Sequence, residues 1–407
     1  MKKISFSKQI ILASILGLIA GLVFKENMKY VSFIGDIFLR LIQMSVVFLV
    51  LTAIIESVGS IEIGDLGKIG LKALSLFAVT TIYSAFIGMV VVNVIKPGQG
   101  VQGIEPAVID GEVFNFSIPE LITSFFPKNI IQSMSEGNMI HIIVFGIFFG
   151  LAISVLQKNE SAQRIYVMVV DFGKVIMQII KFVMRFAPIG VFALLGSITG
   201  SIGVSVILPL IKYLAAMLIA TVLIFSTHLA IVSFYGKINP FRIITKIKDT
   251  IIVSVTTTSS AISLPVQMND CENKLGISPR ISKLVNSLAM SLNSDGLAMT
   301  ISISCIMIAQ FYGITLSFQQ QIVIVAVSTL STLGNLLVPG GALVAISIAL
   351  SMTGLPVAGV ALIAGVDWFA GIARTLLNVI DDVLCTLFVA ISEKEFNRDI
   401  FDRDQKE

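Results

Sequence analysis

The feature that most restricts this chain is the length of its apolar runs. The stretch ALSLFAVTTIYSAFIGMVVV (73–92) is one example, and others recur almost to the end. A run of about 18 residues or more, coiled as a helix, crosses the hydrocarbon core of a bilayer. A soluble fold cannot hide so many of these at once. Only 13% of the 407 residues are charged, against about 25% in a soluble protein. The expectation is an all-α polytopic membrane protein, in which each helix satisfies its own backbone groups away from water.

Apolar spans fall near 9–24, 34–56, 71–95, 138–156, 170–195 and 205–234. The opening MKKISFSKQ has a signal-peptide-like basic front, but no convincing small-residue cleavage site follows. It reads as the start of a first transmembrane helix, with Lys2, Lys3 and Lys8 held in the cytoplasm by the positive-inside rule. Pro97 to Asn129 is the longest polar interruption and reads as a loop on the opposite side. Lys237, Arg242, Lys246 and Lys248 suit a return to the cytoplasm, and EKEFNRDIFDRDQKE from Glu393 reads as a solvated, charged cytoplasmic tail.

The remaining composition mostly excludes. A net charge of +3 without a basic stripe argues against nucleic-acid binding. Cys271, Cys305 and Cys385 lack metal or disulfide spacing and read as small apolar residues in helices. His141 and His228 stand alone, with no second histidine or carboxylate at ligand spacing.

Beyond residue 240 the pattern changes. TTTSSAISLPVQM (256–268) and STLSTLGNLLVPGGA (328–342) interrupt apolar pieces too short to cross comfortably, so each reads as a re-entrant hairpin. A polar-studded span follows each: LVNSLAMSLNSDGLAMTISISCIMIAQF (284–311), then the span around DWFAGIARTLLNVIDD (367–382). Paired interrupted segments point to a binding site near the bilayer midplane, where half-helix ends offer amide groups to anions.

In the last span an arginine stands where insertion costs about 2.5–3.5 kcal/mol. At about 100° per residue, Asp367, Gly371, Arg374, Asn378, Asp381 and Asp382 form one stripe. Arg374 either grips a ligand carboxylate with its planar fork of donors or makes a structural ion pair with Asp367 or Asp381. Asp295, in the Asn293–Ser294–Asp295–Gly296 break, is a second intramembrane acid. Oxygen donors of this kind suit hard cations. The residues alone allow sodium, or a proton on Asp295 or Asp382.

TTTSSAISLPVQM, LNSDG, the VPGG hairpin and GVDWFAGIARTLLNVIDD together resemble the dicarboxylate/amino acid:cation symporters of the glutamate-transporter fold. The resemblance covers nearly the whole chain, with FFPKNIIQSMSEGNMIHIIVFGIFFG, RFAPIGVFALL and VIKPG matching earlier spans. It implies a homotrimer in the cell inner membrane, both termini cytoplasmic, with eight spans and two re-entrant hairpins arranged as inverted repeats. Residues 1–240 would be mainly scaffold, with the third span joining a transport core of residues 241–392 that moves as an elevator. The tail would be 393–407.

For the substrate, the resemblance implies contacts from Ser259 and Ser260 at the first hairpin tip, and from Val338 and Gly340 in a gate spanning Thr332 to Gly341. Leu297, Gly371, Arg374, Thr375 and Asn378 would complete them, with Arg374 on the substrate's side-chain carboxylate. Co-transported Na⁺ would be held by Asn293, Asp295, Asn378 and Asp382, with Thr80 and Thr81 completing one site. Ser291, Ser294 and Thr332 occupy further positions of the sodium-binding set. No tightly bound cofactor is implied.

Four positions depart from relatives that carry acidic amino acids: Thr258 for an arginine, Ser294 for a methionine, Leu297 for a threonine and Gly371 for an aspartate that binds the substrate's amino group. An ammonium buried without that aspartate would cost several kcal/mol, so the expectation is a small dicarboxylate lacking an amino group. An amino acid:cation symporter, including a proton-coupled one, is the alternative. An anion-conducting channel is the rival from another class. An intramembrane enzyme is weaker, because no HExxH and no serine–histidine or paired-aspartate arrangement is present.

Overall fold

The computed structural model describes residues 6–60, 63–99, 123, 126–137, 139–156, 158–332 and 341–403. Most of the Pro97–Asn129 interruption and nearly all of the second hairpin's tip, including Val338 and Gly340, lie outside them. The described residues are helical almost throughout, and Ile277 and Phe396 form an isolated antiparallel bridge.

Among these residues, four helices are long and apolar enough to span a bilayer: Lys68–Ile95, Ile207–Gly236, Pro279–Phe311 and Asp367–Ser392. The run expected as one span at 170–195 is broken. Glu160–Val183 and Ala187–Ser201 meet at 54°. Pro188 opens the second helix, where its missing N–H does no harm, but within a continuous helix its ring would clash with the preceding turn. Large apolar residues face outward as lipid contact requires: Leu71, Val79 and Leu218 are each at least 60% exposed.

The helices fall into two packed groups. In one, Phe6–Phe24 lies along Ala187–Ile202, and Ser32–Gly59 packs on Met139–Val155, Glu160–Arg185 and Ala187–Ile202. Small residues bring the first pair close: a Cβ at Gly21 would lie 2.6 Å from the Gly196 carbonyl oxygen. In the other, Asp295–Phe311 is the axis. Every residue of it except Gln310 is buried, against Ile63–Ile95, Ile207–Gly236, Phe318–Leu330, Gly341–Met352 and Asp367–Ser392.

The two interrupted regions each give a pair of short helices in contact. Lys248–Thr257 and Ser260–Asn269 turn at Thr258, whose φ of 48° is left-handed. Phe318–Leu330 and Gly341–Met352 form the second pair. The longest arm has 13 residues, about 20 Å at 1.5 Å per residue, short of a roughly 30 Å hydrocarbon core.

The carboxyl-terminal segment corrects the expectation of a solvated tail. Phe401 is 1% exposed, packs on Phe396 and lies under the Lys246 ammonium, 5.5 Å from its ring centroid. The Asn397 N–H donates to the Gly276 carbonyl at 2.7 Å, and that of Ser278 to the Glu395 carbonyl at 3.0 Å. Arg242 pairs with Asp402 at 3.1 Å, and Lys72 with Glu393. The charges in this stretch obscured two aromatic anchors spaced to cover the base of the second group.

Truncating a buried phenylalanine costs about 3–5 kcal/mol, whereas an exposed ion pair is worth about 0–1 kcal/mol. Phe401→Ala should therefore lower the thermal unfolding midpoint of the solubilised protein clearly, and Asp402→Ala should barely move it. Equal, negligible shifts would return the segment to a mere solvated end.

Candidate functional site

The site begins with a broken helix. Pro279–Leu292 stops at Asn293, whose extended φ/ψ of −101°/111° interrupts the coil, and Ser294 leads into Asp295–Phe311. The break leaves the last carbonyls of one helix and the first amides of the next without intrahelical partners. One is satisfied from the facing helix: the Gly296 N–H donates to Asn378 Oδ1 at 2.7 Å. Gly296 is required here, because any Cβ would strike the Arg374 backbone carbonyl.

Six of the expected sodium-set positions meet around this break. Thr81 Oγ1 donates to Asp295 Oδ1 at 2.7 Å. The Thr80 and Thr81 hydroxyls lie 3.4 and 3.5 Å from Asn293 Oδ1, and Asn293 Nδ2 donates to Asp382 Oδ1 at 2.9 Å. Asn378 joins through Gly296. Asp295 and Asp382 are at most 1% exposed, and Asp295 Oδ2 has no hydrogen-bond partner among the described residues. A clustered set of oxygen donors with anionic members matches the chemistry of a hard cation. Below it, Thr386 bonds the Asp382 carbonyl and Asn286 Oδ1, and Gln267 reaches the same Asn286. This ties the helix Ser260–Asn269 to the break.

The other expected positions are placed less closely. Ser259 caps the hairpin's second arm, its hydroxyl accepting from the Ile262 N–H at 3.4 Å, while Ser260 begins that arm. Both are half-buried. Thr332 is buried, its hydroxyl on the Thr329 carbonyl. Ser291 is half-buried, and Leu297 and Thr375 are buried. None of these has a described hydrogen bond to the cluster of Thr81, Asn293 and Asp382.

Arg374 does have a protein partner. Its Nη1 lies 3.0 Å from Asp367 Oδ1, and the two side chains are 15% and 13% exposed. Asp367 and Asp381 are both seven residues away, about 10 Å along the axis. Helical side chains lean toward the amino end, so the arginine reaches back to Asp367, not forward to Asp381. Its Nη2 borders the space over Gly371. An ideal Cβ at Gly371 would lie 3.2 Å from Nη2 and 4.0 Å from Cζ, with no other described atom within 4 Å. Among the described residues the guanidinium is thus engaged through Nη1 by Asp367, while Nη2 lies against the position where Gly371 lacks a side chain.

Asp381 turns instead toward His228, with Nδ1 and Oδ1 3.1 Å apart. His228, isolated in the sequence, therefore has carboxylates beside it in the fold. Together with Asp295 it forms a cluster that sequence spacing did not reveal, because its members come from three distant helices.

Comparison with known proteins places the chain in a family. The profile of the sodium:dicarboxylate symporter family matches residues 6–392. A proton/sodium-glutamate symport protein of Bacillus caldotenax is 35% identical, over 98% of this chain and 97% of its own length. The proton/glutamate-aspartate symporter of Escherichia coli K12 is 33% identical, over 98% and 95%. A C4-dicarboxylate transport protein of Laribacter hongkongensis is 28% identical, over 96% and 90%. The polytopic fold, the buried oxygen cluster and the match along nearly the whole chain converge: this chain belongs to the sodium:dicarboxylate symporter family, a family of membrane transporters.

Proposed function

We propose that this protein imports a small dicarboxylate lacking an amino group, driven by sodium. The observation that carries the reading is the half-engaged Arg374 beside Gly371. The arginine offers a fork to a carboxylate, and no carboxylate stands at residue 371 to receive an ammonium. The substrate would lie between the hairpin tips, near Ser259, Ser260, Val338 and Gly340, and against Leu297, Thr375 and Asn378. Sodium would occupy the oxygen cluster of Thr80, Thr81, Asn293, Asp295, Asn378 and Asp382, with Ser291, Ser294 and Thr332 contributing as the hairpins close. The cation's charge lowers the cost of burying the anion beside it.

The wider cycle follows the resemblance: eight spans, two re-entrant hairpins, a homotrimer in the inner membrane with cytoplasmic termini, and an elevator motion. The moving part would be residues 241–392 with Ile63–Ile95. Ile207–Gly236, expected with the scaffold, contacts Asp295–Phe311 and Asp367–Ser392, which supports counting it with the moving part instead. A second reading, an acidic amino acid:cation symporter coupled to sodium or protons, is favoured by the higher identity to relatives named for glutamate.

Purified protein in liposomes under an inward sodium gradient should accumulate succinate, fumarate or malate uphill in preference to aspartate or glutamate. Preferential amino acid uptake establishes the second reading, and flux that never exceeds equilibrium establishes a channel. Gly371→Asp should raise aspartate uptake relative to succinate by at least about tenfold, about 1.4 kcal/mol. An unchanged profile removes Gly371 from the selectivity argument.

Truncating one partner of a buried charge pair costs about 2–5 kcal/mol. Arg374→Ala should therefore weaken apparent succinate affinity by about 30-fold or more, with the protein still assembled. Arg374→Lys, which keeps charge but loses the fork, should recover only part of it. Near-normal affinity in Arg374→Ala would make the Asp367 pair structural.

Asp382→Asn and Thr81→Ala should each raise the sodium concentration that half-saturates uptake. A sodium dependence untouched by both would place the ion elsewhere.

A further inference from the structure

The cluster of His228, Asp295 and Asp381 is only partly used by the proposed cycle, which draws on Asp295 alone. One ligand atom from each residue lies within 4.8 Å of the other two. Asp295 and Asp381 are 0% exposed and His228 is 7% exposed. His228 Nδ1 and Asp381 Oδ1 sit 3.1 Å apart, within ion-pair distance, and neither atom has another polar partner among the described residues. Asp381 Oδ2 and Asp295 Oδ2 are likewise unpartnered. Arg374 is engaged by Asp367 instead.

We propose that His228, Asp295 and Asp381 form a binding site for a divalent first-row metal ion. Two ligand atoms at this distance are spaced like neighbours on one ion, since bonds of about 2.0–2.1 Å at right-angled to tetrahedral angles put neighbouring ligand atoms about 2.8–3.4 Å apart. An imidazole nitrogen with two carboxylates suits ions of the Mn²⁺ to Zn²⁺ series better than Na⁺ or Mg²⁺. The two carboxylates also balance a double positive charge, which leaves the imidazole neutral and its lone pair available. Three different helices supply the ligands, Ile207–Gly236, Asp295–Phe311 and Asp367–Ser392, so an ion here fastens them together. The proposal rests on the symport reading in one respect: Asp295 is shared with the sodium cluster, so the two ions compete.

The probe is Co²⁺, titrated into the purified full-length protein in sodium-free buffer. One ion should bind per chain, with the visible bands of cobalt ligated by nitrogen and oxygen, and added Na⁺ should weaken its binding. Loss of even an outer-shell partner costs about 10–100-fold in metal affinity. His228→Gln and Asp381→Asn should therefore each weaken Co²⁺ binding by at least about tenfold, while His141→Gln, at the only other histidine, should not. Absence of bound Co²⁺ in the wild type, absence of sodium competition, or equal affinity in both ligand variants overturns the proposal. The first two outcomes need no variant to fold. Binding is read without transport, so sodium-driven uptake measured in parallel decides the symport reading separately.

Discussion

The bond from the Gly296 amide to Asn378 joins a helix broken in mid-membrane to the helix that carries the charges. Backbone groups freed at such depth have no water to turn to, and leaving one unmet costs several kcal/mol. The chain therefore has to bring the two helices together closely enough for a side-chain amide to stand in for a helical turn. The absence of a side chain at Gly296 permits that approach, and the Arg374 backbone forms its other wall. With this contact fixed, Asn293, Asp295 and Asp382 converge from opposite sides of one small volume.

Charge accounts for much of the remaining arrangement. Asp295, Asp381 and Asp382 are buried within a few turns of the break, while the nearby arginine pairs with Asp367. Isolated carboxylates in such surroundings are costly, so the interior favours cations. A transporter that couples ions to an anionic solute is a natural use of this imbalance. In the proposed cycle the ions would answer the acids, and the solute would answer the portion of the guanidinium that Asp367 leaves unengaged.

Much of this could be read from residue order alone. Apolar length set the fold class, and each of the two polar interruptions falls between two short helices that touch. The NSDG break fell where the helix stops. Arg374 on the polar stripe was legible, but the choice between Asp367 and Asp381 was not, because angular position on a helix is the same for both. The backward lean of a long side chain decided it. His228 carried no signal: its partners come from helices that only tertiary packing brings near. The carboxyl-terminal segment misled through composition, since its many charges obscured Phe396 and Phe401.

That segment has a practical consequence. Its partners are Lys72, Lys237, Arg242, Lys246, Gly276 and Ser278, all on the helices packed around the broken one or on their connections. A fluorophore or affinity handle attached just past Asp402 is therefore mechanically wired to that helical group. Paired with a second label on Ser32–Gly59, it makes a ruler between the two packed groups of helices.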